Sequence, residues 1–199
     1  ILSTKLNLNA PFVNPMCGSG TLAIEAALIA TNRRPGLLRS NYAFMHIMGY
    51  NSSMYESERK KLDTQIKHIE NLKIIATDIS SSAIATAKLN AAAAGVLELI
   101  DFEVCDFEKT SIPEQANGVI MFNPEYGERL GDENELNATY ARMGDFLKNQ
   151  CKGDLAKKIR LKPSRKIEFY NATIDCRLLE YELYAGTKRV DKPVKPMPE

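Results

Sequence analysis

Two hydrogen-bond acceptors and an aromatic ring follow an apolar run in the stretch GVIMFNPEYGERLG, residues 118–131. The amide oxygen of Asn123 and the backbone carbonyl fixed by Pro124 are close together along the chain. A planar exocyclic amine has two N–H donors, so the two acceptors could hold it while Tyr126 stacks on the base. The pattern predicts a site for an aromatic amine. A proline turn with a tyrosine packed over it is the structural alternative.

A glycine-rich turn in the stretch NPMCGSGT, residues 14–21, is the second feature that could bind a ligand. Glycines let the backbone approach a ligand closely, and the helix predicted from Thr21 offers free N–H groups. A dinucleotide site needs a third glycine and an acid about 20 residues further on, and neither is present. No Gly-Lys-Ser/Thr follows, so a P-loop is excluded as well. A tight turn without a ligand remains the alternative.

Two aspartates end the next two predicted strands. Asp78 closes the run KIIATD, and Asp106 follows the run LIDFEVC. A carboxylate at a strand end can accept both hydroxyls of a ribose, as we predict for Asp78, and Asp106 could accept from an adenine amino group. Asp78 could instead cap the following helix. Because the glycine turn and both aspartates stand at consecutive strand ends, where open α/β sheets bind ligands, they predict an adenosyl site.

Strands and helices alternate along most of the chain. Strands are predicted at 12–13, 73–78, 99–107 and 118–123, and helices from Thr21, from a capping box at Ser53 to about Glu70, at 80–95 and at 135–150. The segment 165–184 is predicted to form two strands around an Asn-Ala-Thr turn. This order predicts an α/β fold with a mostly parallel sheet and an antiparallel C-terminal edge hairpin.

The composition is that of an ordinary globular domain, with 44% hydrophobic and 26% charged residues in a chain of 199. The net charge of +1 gives no overall basic field of the kind that attracts nucleic acid. Four cysteines stand far apart and there are two histidines, so neither a disulfide framework nor a metal site is expected. The longest apolar stretch is too short to span a membrane. These features favour a cytoplasmic protein with reduced thiols.

The order of the motifs NPMCGSGT, ATDIS, CDF and NPEYGERLG resembles the amino-methylating S-adenosylmethionine (SAM) methyltransferases. The stretches GSGTLAIEAALIATNRRPGLLR and RLKPSRKIEFYNATIDCRLLEYELY are similar, more narrowly, to the bacterial branch of the THUMP-associated RNA methylases. Members of that branch make N2-methylguanine in 23S rRNA, and many are labelled N6-adenine-specific DNA methylases. The likeness implies a Rossmann-like SAM-dependent methyltransferase domain over residues 1–187, without the family's N-terminal THUMP domain, and a frayed tail at 188–199.

The resemblance assigns roles to the residues at the strand ends. The loop Cys17–Thr21 would surround the amino-acid part of SAM, with Asp78 on the ribose and Asp106 on the adenine. Asn123, Pro124 and Tyr126 would hold the target amine. The implied cofactor contacts are Asn14, Pro15, Cys17, Gly18, Ser19, Gly20, Thr21, Asp78, Ile79, Asp106, Phe107 and Asn123. No metal is implied.

Two residues depart from the family pattern. Asn14 stands where the family usually has Asp, and Glu125 replaces the second proline of the Asn-Pro-Pro-Tyr tetrad. The resemblance implies an enzyme that methylates guanine N2 of RNA, in particular 23S rRNA. Adenine-N6 methylation of DNA or RNA remains an alternative, because the tetrad serves either amine. A non-catalytic SAM- or RNA-binding module is the second alternative, and the two departures are its only support.

Overall fold

A computed structural model describes residues 1, 10–36, 38–114, 118–124, 133–150, 165–171 and 174–180. The chain divides into two compact units, residues 1–130 and 131–199. The first unit contains strands β1 (Phe12–Pro15), β2 (Ile74–Asp78), β3 (Asp101–Val104) and β4 (Val119–Ile120), with helices α1 (Thr21–Ala30), α2 (Ser52–Asp63) and α3 (Ser81–Ala93). The second contains helix α4 (Glu133–Asn149) and strands β5 (Arg165–Asn171) and β6 (Ile174–Glu180).

The sheet of the first unit has four parallel strands in the order β3-β2-β1-β4. Phe12 of β1 is in register with Ile74 of β2 on one side and with Val119 of β4 on the other. The chain therefore proceeds from β1 outward to β3 and then returns to the opposite side of β1. Such a reversal makes a topological switch point between β1 and β4, and open α/β sheets bind ligands in the crevice at that point.

Small residues allow α1 and α3 to lie close to the sheet and to each other. Strand β1 is buried along its whole length, as is usual for a central parallel strand. The buried cluster consists of Phe12, Cys17, Ala23, Ile24, Ala26, Ala27, Leu28, Ile74, Ala76, Ile84, Ala91, Val96 and Ile100.

Helix α3 begins after Ser80, whose side-chain oxygen accepts from the N–H of Ala83. Gly95, with φ of 73°, follows its end, in agreement with the predicted helix at 80–95.

The sequence predicted the parallel α/β order correctly but misplaced several boundaries. Strands β3 and β4 are shorter than the predicted segments 99–107 and 118–123. Helix α2 is capped by Asn51, whose side chain accepts from the N–H of Met54, so the capping box at Ser53 was wrong. The helix ends at Asp63: the N–H groups of Gln65 and Ile66 bond carbonyls only three residues back, and that of Lys67 bonds the carbonyl of Thr31.

Strands β5 and β6 pair antiparallel with each other in a separate two-stranded sheet. Their predicted place at the edge of the parallel sheet stays a prediction, as does the single domain over residues 1–187. The predicted tail at 188–199 lies outside the described residues.

Gly20 is the position where a side chain would most disturb this packing. Its φ is 82°, and an added Cβ would lie 2.9 Å from the Cβ of Ala87 on α3. We expect Gly20→Ala to lower the free energy of unfolding by about 2 kcal/mol or more, from left-handed backbone strain and overpacking together. Urea unfolding followed by circular dichroism measures the change.

The matched control is Gly144→Ala in helix α4. An added Cβ at Gly144 meets no described atom within 4 Å, so alanine should hold or raise stability by up to about 1 kcal/mol. Equal stability of Gly20→Ala and wild type would contradict the close contact between α1 and α3.

Candidate functional site

The carboxyl ends of the four parallel strands bring the predicted site residues to one edge of the sheet. Cys17 follows β1, and its backbone N–H donates to the carbonyl of Thr77 in β2 over 2.9 Å. The N–H of Cys105, after β3, donates to the carbonyl of Asp78 over 3.0 Å. On the other side, the N–H of Met121 donates to the carbonyl of Val13 over 2.9 Å. These backbone bonds hold the four strand ends together as one surface.

The loop between β1 and α1 has an unusual backbone. Met16, Gly18 and Gly20 all have positive φ, of 57°, 54° and 82°. A Cβ added to Gly18 would have no described atom within 4 Å, so this side of the loop is open to a ligand. The hydroxyls of Ser19 and Thr21 are exposed and lie 3.3 Å apart. The loop therefore presents backbone and hydroxyl groups at the N-terminus of α1, where free N–H groups favour an anion.

Asp78 holds the loop and the start of α3 in place. Its Oδ2 accepts from the backbone N–H of Gly18 over 2.9 Å, and its Oδ1 accepts from the N–H of Ser80 over 2.9 Å. Ser80 is the N-cap residue of α3, so the alternative that Asp78 caps the helix was wrong. Each carboxylate oxygen can accept more than one hydrogen bond, so Asp78, which is half-buried, can still receive ribose hydroxyls. Ile79 beside it is 72% exposed and offers an apolar surface.

Sequence reasoning missed a second support of the loop. The Nδ2 of Asn90, on α3, donates to the carbonyl of Ser19 over 3.0 Å. Asn90 is a polar residue in an alanine-rich helix, which is the only sequence signal it carried. Together with the contact between Gly20 and Ala87, this bond fixes the loop from the side of α3.

The segment after β3 crosses the carboxyl edge of the sheet. Asp106 accepts from the N–H of Glu108 over 3.0 Å and begins a short 3₁₀ turn, Phe107–Lys109. The hydroxyl of Thr110 lies 2.6 Å from that of Thr77 in β2, and both side chains are buried. The ring of Phe107 meets that of Phe122, after β4, edge to face with centroids 6.2 Å apart. The contact between Phe107 and Phe122 thus joins the segment after β3 to the segment after β4, and Asp106 directly precedes Phe107.

Asn14 joins β1 to β4 at the switch point. Its side chain is fully buried, and its Nδ2 donates to the carbonyl of Met121 over 2.8 Å. Its Oδ1 is buried and has no hydrogen-bond partner in the part of the chain that the structure describes. Pro15, next to it, is also fully buried at the end of β1.

The predicted residues for the target amine lie partly within the structure. Asn123 is exposed and Pro124 half-buried, directly after the strand end that Asn14 holds. Tyr126 and Glu125 lie outside the described residues. The structure therefore brings Asn123 and Pro124 to the same edge as the glycine loop and both aspartates.

Cys17 and Cys105 are free thiols. Burial, and to a lesser degree the negative charge of Asp78, raise the pKa of the Cys17 thiol to about 12. Its Sγ lies 3.7 Å from the carbonyl of Gly18, a contact suited to a protonated thiol. Cys17 is thus a packing residue under the loop and not a nucleophile.

Within the described ranges, no three His, Cys, Asp or Glu side chains are grouped so that they could hold a metal ion. Among those same residues, no helix combines the length and apolarity needed to cross a membrane. The expectation of a metal-free site stays a prediction.

A parallel α/β sheet with a glycine-rich loop after β1 and acids after the next two strands defines a nucleotide-type binding domain of the Rossmann-like class. A family model described as the RMKL-like methyltransferase domain, UPF0020, matches residues 2–180. The chain belongs to this family of methyltransferase domains. The resemblance found in the sequence motifs is thereby confirmed.

Among curated proteins, the ribosomal RNA large subunit methyltransferase K/L of Shewanella baltica (strain OS185) is 36% identical over 198 residues. The match covers 92% of this chain and 28% of that protein, so the chain spans less than a third of the relative's length. The protein of the same name from Shewanella sp. (strain ANA-3) is 35% identical with the same coverage.

Two solved structures share the fold. SMU.472, described as a candidate methyltransferase and solved in complex with S-adenosylhomocysteine (SAH), has a TM-score of 0.75 and 25% identity. It covers 94% of this chain, which spans 51% of it. The second is a predicted N6-adenine-specific DNA methylase from Listeria monocytogenes (str. 4b F2365), with a TM-score of 0.66 and 35% identity. The match covers 74% of this chain and 38% of the Listeria chain.

The state of Cys17 can be tested by alkylation. With a pKa of about 12, only about one thiol in ten thousand is ionised at pH 8, and the thiolate is the reactive form. We expect iodoacetamide to modify Cys17 at least about a hundredfold more slowly in the folded protein than in urea. Mass spectrometry of a digest measures both rates at one site, and similar rates would contradict the raised pKa.

Proposed function

We propose that this chain is the catalytic part of a SAM-dependent methyltransferase that methylates the N2 amine of a guanine in RNA, in particular 23S rRNA. One observation carries the proposal: the glycine loop, Asp78, Asp106 and Asn123 stand at the carboxyl ends of four different strands, along one edge of the sheet. The names of the Shewanella relatives support an rRNA substrate, and the SAH bound to SMU.472 supports the cofactor.

The residues of the edge fit the parts of SAM. The N–H groups at the start of α1 suit the carboxylate, and the buried, unpartnered Oδ1 of Asn14 suits the ammonium. The remaining lone pairs of Asp78 suit the ribose hydroxyls. Asp106, the apolar side chain of Ile79 and the ring of Phe107 would enclose the adenine. The other predicted loop contacts are Pro15, Cys17, Gly18, Ser19, Gly20 and Thr21.

The chain's own residues position the acceptor for transfer. SAM, when bound, would supply an electrophilic methyl group on a sulfonium, whose C–S bond breaks as the N–C bond forms, with SAH as the leaving group and one amine proton released to solvent. The amide oxygen of Asn123 and the carbonyl of Pro124 accept the two N–H donors of the amine and so turn its lone pair towards the methyl carbon. Tyr126 stacks on the base. Most of the acceleration then comes from holding the two reactants in line.

Adenine N6 is the second candidate target, because the Listeria relative is described as an N6-adenine-specific DNA methylase. Both amines present the same pair of N–H donors to Asn123 and Pro124. Direct identification of the methylated nucleoside distinguishes them. A non-catalytic SAM- or RNA-binding module is distinguished by the absence of any methylated product.

The proposal treats residues 1–187 as one catalytic domain. The match of the family model to residues 2–180, which crosses both compact units, supports this. We assign the protein to the cytoplasm, where ribosomal RNA is available, with RNA as its partner and without a metal ion.

The first prediction of the proposed function concerns the cofactor. Asp78→Ala removes the hydrogen bonds to Gly18 in the loop and to Ser80 at the start of α3, together with the proposed ribose contact. We expect SAH binding, measured by calorimetry, to weaken at least about tenfold, or ~1.4 kcal/mol. Asp101→Ala is the matched control, because Asp101 is an exposed aspartate in β3 whose carboxylate pairs with Lys73. Tight binding of NAD without any binding of SAH would refute the cofactor.

The second prediction separates chemistry from cofactor binding. Asn123 is exposed, so Asn123→Ala should preserve the fold and bind SAH within a few-fold of wild type. Methyl transfer should fall about a hundredfold or more, because a contact that positions the reacting group acts on kcat. The assay uses tritiated SAM with rRNA from cells that lack the gene, followed by mass spectrometry of the nucleosides. Wild-type turnover by the variant would refute the role of Asn123, and N6-methyladenine as product would select the second candidate.

A further inference from the structure

Asn14 is a buried polar residue, and the proposed contact with the cofactor uses only one end of its side-chain amide. It lies in β1 with 0% of its surface exposed, between β2 and β4. The nitrogen and the oxygen of its side-chain amide differ in their hydrogen bonding. Nδ2 donates to the carbonyl of Met121 over 2.8 Å, while the buried Oδ1 has no partner among the described residues.

The bond to Met121 lies directly after the short ladder that joins β4 to β1. Ladder pairing of β4 with β1 covers only Val119 and Ile120, in register with Phe12 and Val13. The backbone N–H of Met121 adds one bond to the carbonyl of Val13. The side chain of Asn14 then holds the carbonyl of the same residue, two positions before Asn123. It therefore extends the attachment of β4 beyond its last paired residue.

The Oδ1 of Asn14, which has no partner among the described residues, indicates a site for a hydrogen-bond donor. A buried acceptor without a partner costs free energy, so buried polar atoms in folded proteins are nearly always satisfied. Under the proposed function, the donor is the ammonium of SAM. The side-chain amide of Asn14 would then contact the cofactor through Oδ1 and the end of β4 through Nδ2.

We propose that Asn14 is a positioning residue that couples the amino group of SAM to the strand end carrying Asn123. An ionised aspartate at this position could not perform both tasks. An ionised carboxylate attracts an ammonium more strongly, but it has no hydrogen to donate to the carbonyl of Met121. Compared with aspartate, asparagine thus lacks a negative charge beside the cofactor but gains a hydrogen bond to the end of β4. The inference rests on the proposed function for its cofactor half, whereas the bond to β4 does not depend on it.

The strand half is tested by hydrogen exchange on the unliganded protein. In Asn14→Ala and Asn14→Leu, neither of which can donate to the carbonyl of Met121, the amides of Val119 and Met121 should exchange at least about tenfold faster than in wild type, because local opening of β4 is easier. The control is Thr31→Val, which removes a buried bond of 2.7 Å at the far end of α1. It should leave exchange of these amides unchanged. Equal protection of β4 in the two Asn14 variants and wild type would overturn the inference.

The cofactor half is tested with SAH and with deamino-SAH, in which hydrogen replaces the amino group. Asn14→Ala should bind SAH about tenfold more weakly than wild type, ~1.4 kcal/mol, and deamino-SAH within about twofold. Equal losses for both probes would overturn the contact with the ammonium.

The coupling itself is tested by the split between cofactor binding and turnover in Asn14→Asp. This variant should bind SAH as tightly as wild type or more tightly, while kcat for rRNA falls at least about tenfold. A general loss of stability would weaken both, and Thr31→Val shows the effect of that loss alone. Wild-type kcat in Asn14→Asp would overturn the coupling. If wild type binds no SAH, the proposed function and the coupling both fail, while the exchange result still decides the strand half.

Discussion

The carboxylate of Asp78 is the group on which the geometry of the candidate site depends. It accepts from the N–H of Gly18 in the loop and from the N–H of Ser80 at the start of α3, each over 2.9 Å. Hydrogen bonds to a charged acceptor contribute ~1.5–3 kcal/mol each when they are shielded from water. This half-buried carboxylate therefore joins the end of β2 to the loop before α1 and to the start of α3 with a single side chain. The same charge also helps to keep the Cys17 thiol protonated.

The loop can take this shape only because small residues surround it. Gly20 approaches Ala87 so closely that no Cβ fits between α1 and α3, and Asn90 on the next turn of α3 bonds the carbonyl of Ser19. The glycine motif therefore has two different purposes. Gly18 leaves its side of the loop open for a ligand, whereas Gly20 allows two helices to meet. The positive φ of Met16, unusual for a residue with a side chain, places strain in the same turn, as is common at functional sites.

The return of the chain to β4 gives the site its second half. Three strands alone would carry the proposed cofactor residues, namely the loop, Asp78 and Asp106, without Asn123, the residue proposed to hold the acceptor. Placing β4 beside β1 brings Asn123 next to the buried end of β1, and the segment after β3 crosses towards it through the contact of Phe107 with Phe122. The short ladder of β4 makes the side-chain bond from Asn14 important to this arrangement. The residues proposed for the cofactor and those proposed for the acceptor thus lie on the two sides of the switch point.

Local patterns in the sequence determined the alternation of strands and helices, the glycine turn before α1, and the positions of Asp78, Asp106 and Asn123 after apolar runs. Parallel strands place their carboxyl ends at one edge, so these residues could be predicted to share a site. Only the tertiary structure decided what each side chain contacts. The bond from Asn14 to Met121 joins residues 107 positions apart, and that from Asn90 to Ser19 joins residues 71 apart. Such pairs depend on strand order and helix packing, which local propensity does not encode, and for the same reason Asp78 proved to tie the loop to α3 rather than to cap the helix.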